Sequence, residues 1–560
     1  MGIRREVTID GTTYALSTYH ERPYRRFAQS SIVGQDKERY WSTWPQRTWH
    51  GGERMQRILD AADMEAGRYH DGEGVNVSEW GQVTLQPALT RSLAISSDTL
   101  PIVVNAAGTT AIAGITATPY IKIGTYNGTT ITWANPSSNP GAAVTKLLVA
   151  GSAIYAVTSG GKVFSSADSG ATWAEVGSYT TATGLAYVNN KLYVLKGATE
   201  VYNHTDSETV CSYGGTHIAG FRDNLYWASD HRLWTYDGNA DYEYVKFPQG
   251  FNVTGLYPYR MAMWVLGYYK VQGGYKGSIH YIMPGTENHL YTLGDYSADH
   301  RIYACSGDDN EVWFASPKRG GADRYDLEQG GISSGPATGT AMYIPPGSMA
   351  SLEGFLLIGR YDNVGATDGI YAADVASPAA YRATGWFTSP AFDFGYPYDE
   401  KVMRAIRINH KRLAANESIK VEYSLDMGVT YHYVGTSSIL GATSCEWKLT
   451  DPCVGDSIKL KITLVAGTTA GTTPTLRTVT VQGAPRLPNR WQWELALSAY
   501  RRNRGAQDKE DLEVSFNKAM PVTFVDRDNQ AYTVTIEDIE FQEMMVDKDS
   551  AVIVLTLREV

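Results

Sequence analysis

Short apolar runs, each broken by a tight turn and then a polar stretch, recur along the middle of this chain every thirty to forty residues or so. Leu147-Leu148-Val149-Ala150, Gly151-Ser152 and Ala153-Ile154-Tyr155-Ala156-Val157 form one copy. Leu185–Val188, Asn189-Asn190 and Lys191–Leu195 form the next, and Ile218–Arg222, Asp223-Asn224 and Leu225–Ala228 the third. Gly, Asn and Asp tolerate the positive φ that a primed hairpin turn requires, so each copy predicts a β-hairpin. A repeat of this length built from strands predicts a ring of four-stranded blades, because a ring removes the edges that so many strands would otherwise expose.

The same pattern extends on both sides. Ile112–Trp133, Gly255–Tyr291, Ile302–Ala315 and Gly354–Ala372 read as further units, giving about seven blades, or six or eight if the long units are divided differently. Val83–Ile95 is the expected closing strand. After the ring, Met403–Ile408, Ile419–Ser424 and Ile458–Leu464 carry the period-two alternation of half-buried strands and predict a β-sandwich. In the last stretch, Trp491, Trp493, Leu495 and Leu497 alternate as a strand. Leu512, Phe516, Ala519 and Met520 fit one helical face that Pro521 ends. Val522–Phe524 and Tyr532–Ile536 flank an Asp526–Asn529 turn, and Val552–Leu557 completes a small α+β module.

The expected fold is therefore mainly β: a β-propeller of about seven blades, then a β-sandwich, then a small α+β C-terminal module. The units are 1–90 (an N-terminal docking arm and closing strand), 91–385 (propeller), 386–483 (sandwich) and 484–560 (attachment module). The first unit opens with a hairpin, Val7–Leu16 turning at Asp10-Gly11, and is then dense in Trp, Tyr and Arg with little periodicity. Arg25, Arg26, Tyr40, Trp41, Trp44, Arg47 and Trp49, with Trp491, Trp493, Arg501 and Arg502 near the other end, are the side chains expected to dock a partner, since these types anchor interfaces. The equal alternative is a strap packed against the chain's own propeller.

Composition narrows the function classes. The 560 residues include 38 Tyr, 14 Trp and 55 Gly, with 19% charged residues, a balance that favours strands and turns. A net charge of −10 argues against nucleic-acid binding, which needs a basic surface. No apolar run reaches membrane-spanning length, and Met1–Glu6 lacks the apolar segment of a secretory signal. Four cysteines are too few for a disulfide framework. Cys445 and Cys453 are either buried thiols or partners across a hairpin.

Ser166-Ala167-Asp168-Ser169-Gly170-Ala171-Thr172-Trp173 matches S-x-D-x-G-x-T-W at Ser166, Asp168, Gly170, Thr172 and Trp173. Ser424, Asp426, Gly428, Thr430 and Tyr431 repeat the pattern with Tyr in the last place. The pattern resembles the Asp box of the sialidase-type (BNR) propeller repeats, a structural turn rather than a catalytic motif. That resemblance raises a sialidase-like glycosidase as a remote alternative. Such a site needs clustered arginines and a Tyr–Glu pair. The family's Arg-Ile-Pro motif is missing, and Arg222, Arg232, Arg260, Arg301 and Arg360 are scattered through the blades. No metal-ligand spacing, phosphate loop or nucleophile elbow occurs either, although Asp308-Asp309-Asn310 and Asp526-Arg527-Asp528 are acidic turns of the kind that can hold calcium. No enzyme, cofactor or metal is expected.

Taken together, Trp49–Arg54 with Arg68–Val75, the passage Ile419–Gly435, and Pro521–Arg527 with Tyr532–Val534 resemble segments of bacteriophage minor tail and tail-tip proteins. The resemblance implies a virion structural protein that docks on other tail proteins through its ends. It also implies rotational symmetry, as a homo-oligomer or ring, and a projecting propeller. The alternative of a host-surface glycan or receptor binder rests on Trp234, Tyr236, Tyr257, Tyr259, Tyr268 and Tyr269, which either stack on sugars or fill blade cores.

Overall fold

A computed structural model describes residues 6–17, 23–29, 42–49, 51–53, 67–272, 274–283, 286–292, 301–328, 330–362, 367–394, 400–485, 490–500, 505–517, 521–543 and 550–559. Seven sheets are arranged as propeller blades, and the consecutive strands of each run in sequence order from the innermost outward. Blade 1 spans Ile102–Ala134, blade 2 Val144–Ser178, blade 3 Gly184–Cys211 and blade 4 His217–Lys246. Blade 5 spans Phe251–Thr292, blade 6 Cys305–Ala337 and blade 7 Met349–Asp374.

The tight turns show why these sequences fold back. Val188 pairs with Lys191 across Asn189 (φ 49°) and Asn190 (φ 61°), a turn that only residues tolerant of left-handed backbone make cheaply. In blade 4 the expected Asp223-Asn224 turn is shifted by one. Phe221 pairs with Asn224, so Arg222 and Asp223 form the turn and Arg222 takes φ 54°.

Blade 7 holds three consecutive strands, and its fourth comes from before blade 1. Thr90–Ala94 pairs antiparallel with Gly369–Asp374, closing the ring within the expected Val83–Ile95 segment. The approach is close at Gly369, where a Cβ would stand 2.1 Å from the carbonyl oxygen of Leu93. The blades bury one another's faces through clusters such as Trp264, Phe314 and Leu356, or Leu195, Val201 and Trp227.

The sandwich stacks two sheets. One is ordered His432–Ser437, Ser418–Ser424, Lys459–Val465, Thr384–Thr388 and Asp71–Glu73. The other is ordered Ser42–Gln46, Leu476–Pro485, Lys401–His410 and Ser444–Gly455. Ile406, Ile408, Val421, Leu460, Ile462 and Val481 meet between them and are fully buried. Cys445 and Cys453 sit on one strand, opposite Ile408 and Met403, so no hairpin brings them together.

The expected 1–90 arm is not a separate unit. Glu6–Ile9 and Thr12–Ala15 extend the C-terminal sheet at one edge, and Tyr24–Gln29 forms its other edge. Ser42–Gln46 and Asp71–Glu73 are edge strands of the two sandwich sheets. Gly52–Glu53 and Arg68–Tyr69 extend blade 6 through a parallel pairing at Ile332. At that pairing a Cβ on Gly52, whose φ is 77°, would lie 2.1 Å from the Ile332 carbonyl oxygen. Residues 6–94 thus contribute strands to all three units, which is the strap alternative in extended form.

The C-terminal module accordingly has a seven-stranded sheet in which Ser550–Glu559 is central, between Ala531–Glu543 and Arg490–Tyr500, rather than the closing edge. Its helix, Gly505–Asn517, buries Leu512, but Phe516 is 39% exposed and does not share that buried face. Ala519 and Met520 lie outside the described residues.

Candidate functional site

The two Asp boxes have one hydrogen-bond plan. In blade 2 the Ser166 hydroxyl donates to Asp168 Oδ1 (2.8 Å) and accepts the Gly170 N–H (2.9 Å). Asp168 also accepts the Thr172 N–H (2.8 Å) and hydroxyl (2.5 Å), and Trp173 Nε1 donates to the Gly170 carbonyl (2.9 Å). Trp173 packs with Ile112 and Phe164, against blade 1. In the sandwich, Ser424, Asp426, Gly428 and Thr430 repeat these bonds at 2.6, 2.8, 2.9 and 2.5 Å, with Gly428 at φ 95°. Tyr431 comes close to Gly428 in the place of the Trp.

The Ser, Asp and Thr side chains of both boxes are spent on closing their turns. The Thr172 hydroxyl and N–H hold the Asp168 carboxyl below its ordinary value, and the Ser424 and Thr430 hydroxyls do the same for Asp426. A depressed folded value stabilises the fold above the unfolded value of 3.8, and that contribution disappears as pH falls through the folded value. Asp168→Asn and Asp426→Asn are therefore expected to lower the melting temperature near neutral pH and to flatten its decline below about pH 4. Calorimetry across that range checks this, and an unchanged acid limb in both variants would count against it.

The expected docking side chains are largely used inside the chain. Trp49 is 1% exposed and meets Phe387 edge-on at 6.1 Å, while Trp44 packs on Phe392 and Phe394 at 6.1 and 6.0 Å. Trp493 is 0% exposed against Phe524 and Tyr532. Arg26 lies 5.0 Å over Tyr532 and reaches Asp526 at 3.5 Å, and the exposed Arg25 pairs with Glu494 at 3.1 Å. Arg47 is exposed. Tyr40, Trp41, Arg501 and Arg502 lie outside the described residues, as does the side chain of Trp491. Trp49 and Trp493 are buried within the chain and so present no surface to a partner, while Trp44 and Arg26 are half-buried. A partner surface and an intramolecular strap use the same residue types, and only strand pairing separates them.

The scattered arginines do not converge. Arg232 pairs with Glu243 (2.9 Å), Arg260 donates to Asn310 (3.0 Å), Arg222 stands over Phe221, Arg301 over Tyr275, and the buried Arg360 over Tyr371. The blade aromatics contact one another: Trp234 meets Tyr213 at 4.8 Å, Tyr257 stacks on Tyr259 at 6.1 Å, and Tyr268 meets Tyr275 at 5.2 Å. Asp526 accepts the N–H groups of Asp528 and Gln530, as an ordinary turn carboxylate does. Among the described residues no group of three His, Cys, Asp or Glu side chains could hold a metal, and no helix is long and apolar enough to cross a membrane.

One concave feature of the molecule is the propeller channel. The seven innermost strands enclose about 640 Å³, with walls of Ile102, Leu185, Ile218, Leu256 and Met349 among other apolar groups. Because every blade begins on its inner strand, those strands run the same way and their first residues gather at one mouth. Lys146 and His217, near the starts of the inner strands of blades 2 and 4, line that space. Burial lowers the affinity of Lys146 for its proton. Burial together with the Lys146 charge pushes His217 down to about 3, so the imidazole is neutral. Cys305 also lines the channel, its thiol pushed well up by burial. Sequence reading missed this pair. Its one signal is a lysine within the apolar run Val144–Ala150, and nothing local joins it to His217.

The fold and channel define a closed seven-bladed β-propeller carrying a sandwich and an α+β module. No family model matches the sequence, and no curated protein matches it. Solved structures of propeller type are similar to it. YCF48 from Cyanidioschyzon merolae is 10% identical, covering 51% of this chain and 98% of that one at a TM-score of 0.37. The C-terminal WD40 domain of Sif2 is 13% identical over 49% and 81%, at 0.34. Kuenenia stuttgartiensis hydrazine synthase is 12% identical over 51% and 98%, at 0.37.

Proposed function

We propose that this chain is a non-enzymatic structural component of a tailed-phage virion, placed at the tail tip, baseplate or tail side, where it presents a rigid propeller. One observation supports it above the others: a single leader contributes strands to the C-terminal sheet, both sandwich sheets and two blades, so that three β units are joined as one body. A body braced in this way suits an assembly exposed to mechanical load. The resemblance of its segments to minor tail proteins supplies the setting. The dispersal of arginines and the self-contained Asp boxes favour a structural role over glycoside hydrolysis.

With the leader aromatics used internally, attachment to other tail proteins falls to exposed surface. The sandwich edge strand His432–Ser437 offers it, carrying Tyr433 and flanked by the exposed Val429, Ile439 and Leu440. Mass spectrometry of purified tailed particles from the source genome is expected to recover the chain in a fixed ratio to other tail proteins. Recovery from the soluble lysate alone would overturn the reading. Particles carrying Ile439→Asp with Leu440→Asp are expected to lose the protein while the isolated variant keeps its melting temperature. Turnover on a panel of fluorogenic glycosides would instead restore the glycosidase alternative.

A further inference from the structure

We propose that the channel mouth at Lys146 and His217 is a binding site for a small oxyanion, a carboxylate or phosphate group on a ligand that fits within the propeller. The proposal stands independently of the virion reading. Among the described residues lining the channel, Lys146 carries the one formal charge, and no Asp or Glu lines the space. That is the reverse of the molecule as a whole, whose net charge is −10.

Among the described residues the Lys146 side chain has neither a hydrogen-bond nor an ion-pair partner, and it is half-buried in the channel wall. A half-buried ammonium without a partner is unfavourable, and folds ordinarily pair it or leave it at the surface. The other charged lysines of the blades follow that habit: Lys162 pairs with Glu175, Lys191 with Asp206 and Lys196 with Glu200. Lys146 departs from it at the wall of a cavity about 640 Å³ in volume, large enough for a small organic anion.

The groups around it fit an acceptor-rich ligand. His217 has its Nδ1 at 3.0 Å from the Thr216 hydroxyl, which orients the ring. The other titratable groups on the channel wall are Tyr187, Tyr257, Tyr303 and Cys305; burial pushes the Tyr257 hydroxyl and the Cys305 thiol up, so both are uncharged near neutral pH. An anion at Lys146 would meet no negative charge among the described residues. Apolar walls would strengthen its attraction to the ammonium by excluding water.

Binding is then linked to protonation. A bound oxyanion offsets the Lys146 charge that disfavours the imidazolium, so the His217 proton affinity rises in the complex. Affinity should increase as pH falls, with proton uptake.

Titration calorimetry of the full chain with inorganic phosphate, and separately with glucuronate, tests this and tells the two anion classes apart. Saturable single-site binding of at least one probe is expected. It should weaken by about tenfold or more in Lys146→Met and stay unchanged in Lys122→Ala, an exposed lysine that bonds Asn135. As pH falls from about 6 towards 4, the affinity for glucuronate should rise in the wild type and rise less in His217→Asn. Without ligand, Lys146→Met should melt at the same temperature as the wild type or higher, since it removes an unpaired charge. Absence of saturable binding by both probes, equal affinity in Lys146→Met, or a lower melting temperature of that variant would overturn the site.

Discussion

A chain lacking residues 1–80 is expected not to reach the folded state at all. The deletion strips both edges of the C-terminal sheet, one edge strand of each sandwich sheet, and the two short strands laid on blade 6. It also removes Val7, Ile9, Tyr14, Trp49, Tyr69 and Val75, each nearly or wholly buried in a core that belongs to another part of the sequence. Each such side chain contributes about 1.5–3 kcal/mol by its burial. A handful of them together match the 5–15 kcal/mol or so by which a domain is ordinarily stable. The closing strand Thr90–Ala94 survives the cut, so the ring itself keeps its clasp. The sandwich is the unit expected to fail first, because Trp49 and Tyr69 both pack on Phe387 at its centre. Insoluble expression, or soluble protein without a cooperative melt, is the expected result. A truncated chain with the full-length melting temperature would show that the leader's pairings are dispensable.

The propeller was legible because its information is local. Each hairpin carries its own alternation and its own turn residues, and the Asp box states its hydrogen bonds in five letters. Where the turn chemistry was ambiguous the reading slipped by one residue, as at Arg222, which takes a positive φ that Asp or Asn would take more readily. The hairpin turning at Asp10-Gly11 was legible too, but the rest of the leader was not, for the opposite reason. Its strands are two to six residues long, and their partners lie up to several hundred residues away. Such pairings leave no period in the sequence. Tyr24–Gln29 alternates poorly because it is an edge strand, with Arg25 facing solvent and Arg26 lying over the Trp493 and Tyr532 rings. The channel pair was hidden in the same way, since Lys146 and His217 become neighbours only when the ring closes.

Replacing Trp493 with Ala is expected to cost about 3–5 kcal/mol, a large share of one unit's stability. Trp493 is completely buried where three separate segments meet: its own strand, the hairpin bearing Phe524 and Tyr532, and the strand Tyr24–Gln29 paired to it at Arg26. Deleting the indole leaves a cavity that this sheet cannot collapse around, because its neighbours are held by ladder hydrogen bonds on both sides. The loss should separate from that of Arg26→Ala, which removes a cation lying over the same rings at 5.6 and 5.0 Å and a long ion pair. An interaction of that kind is worth about 0.5–2 kcal/mol. Denaturant unfolding of both variants measures the difference. Limited proteolysis adds a readout of connectivity, because the strands Glu6–Ile9, Thr12–Ala15 and Tyr24–Gln29 share one sheet with the four strands between Arg490 and Glu559. In Trp493→Ala, cleavage near residues 17–29 should accelerate in step with cleavage in 490–560, while the blades stay protected. If the N-terminal segment remained resistant while the C-terminal module was digested, the two would not be one cooperative unit, and the leader would be anchored by its sandwich and blade 6 strands alone.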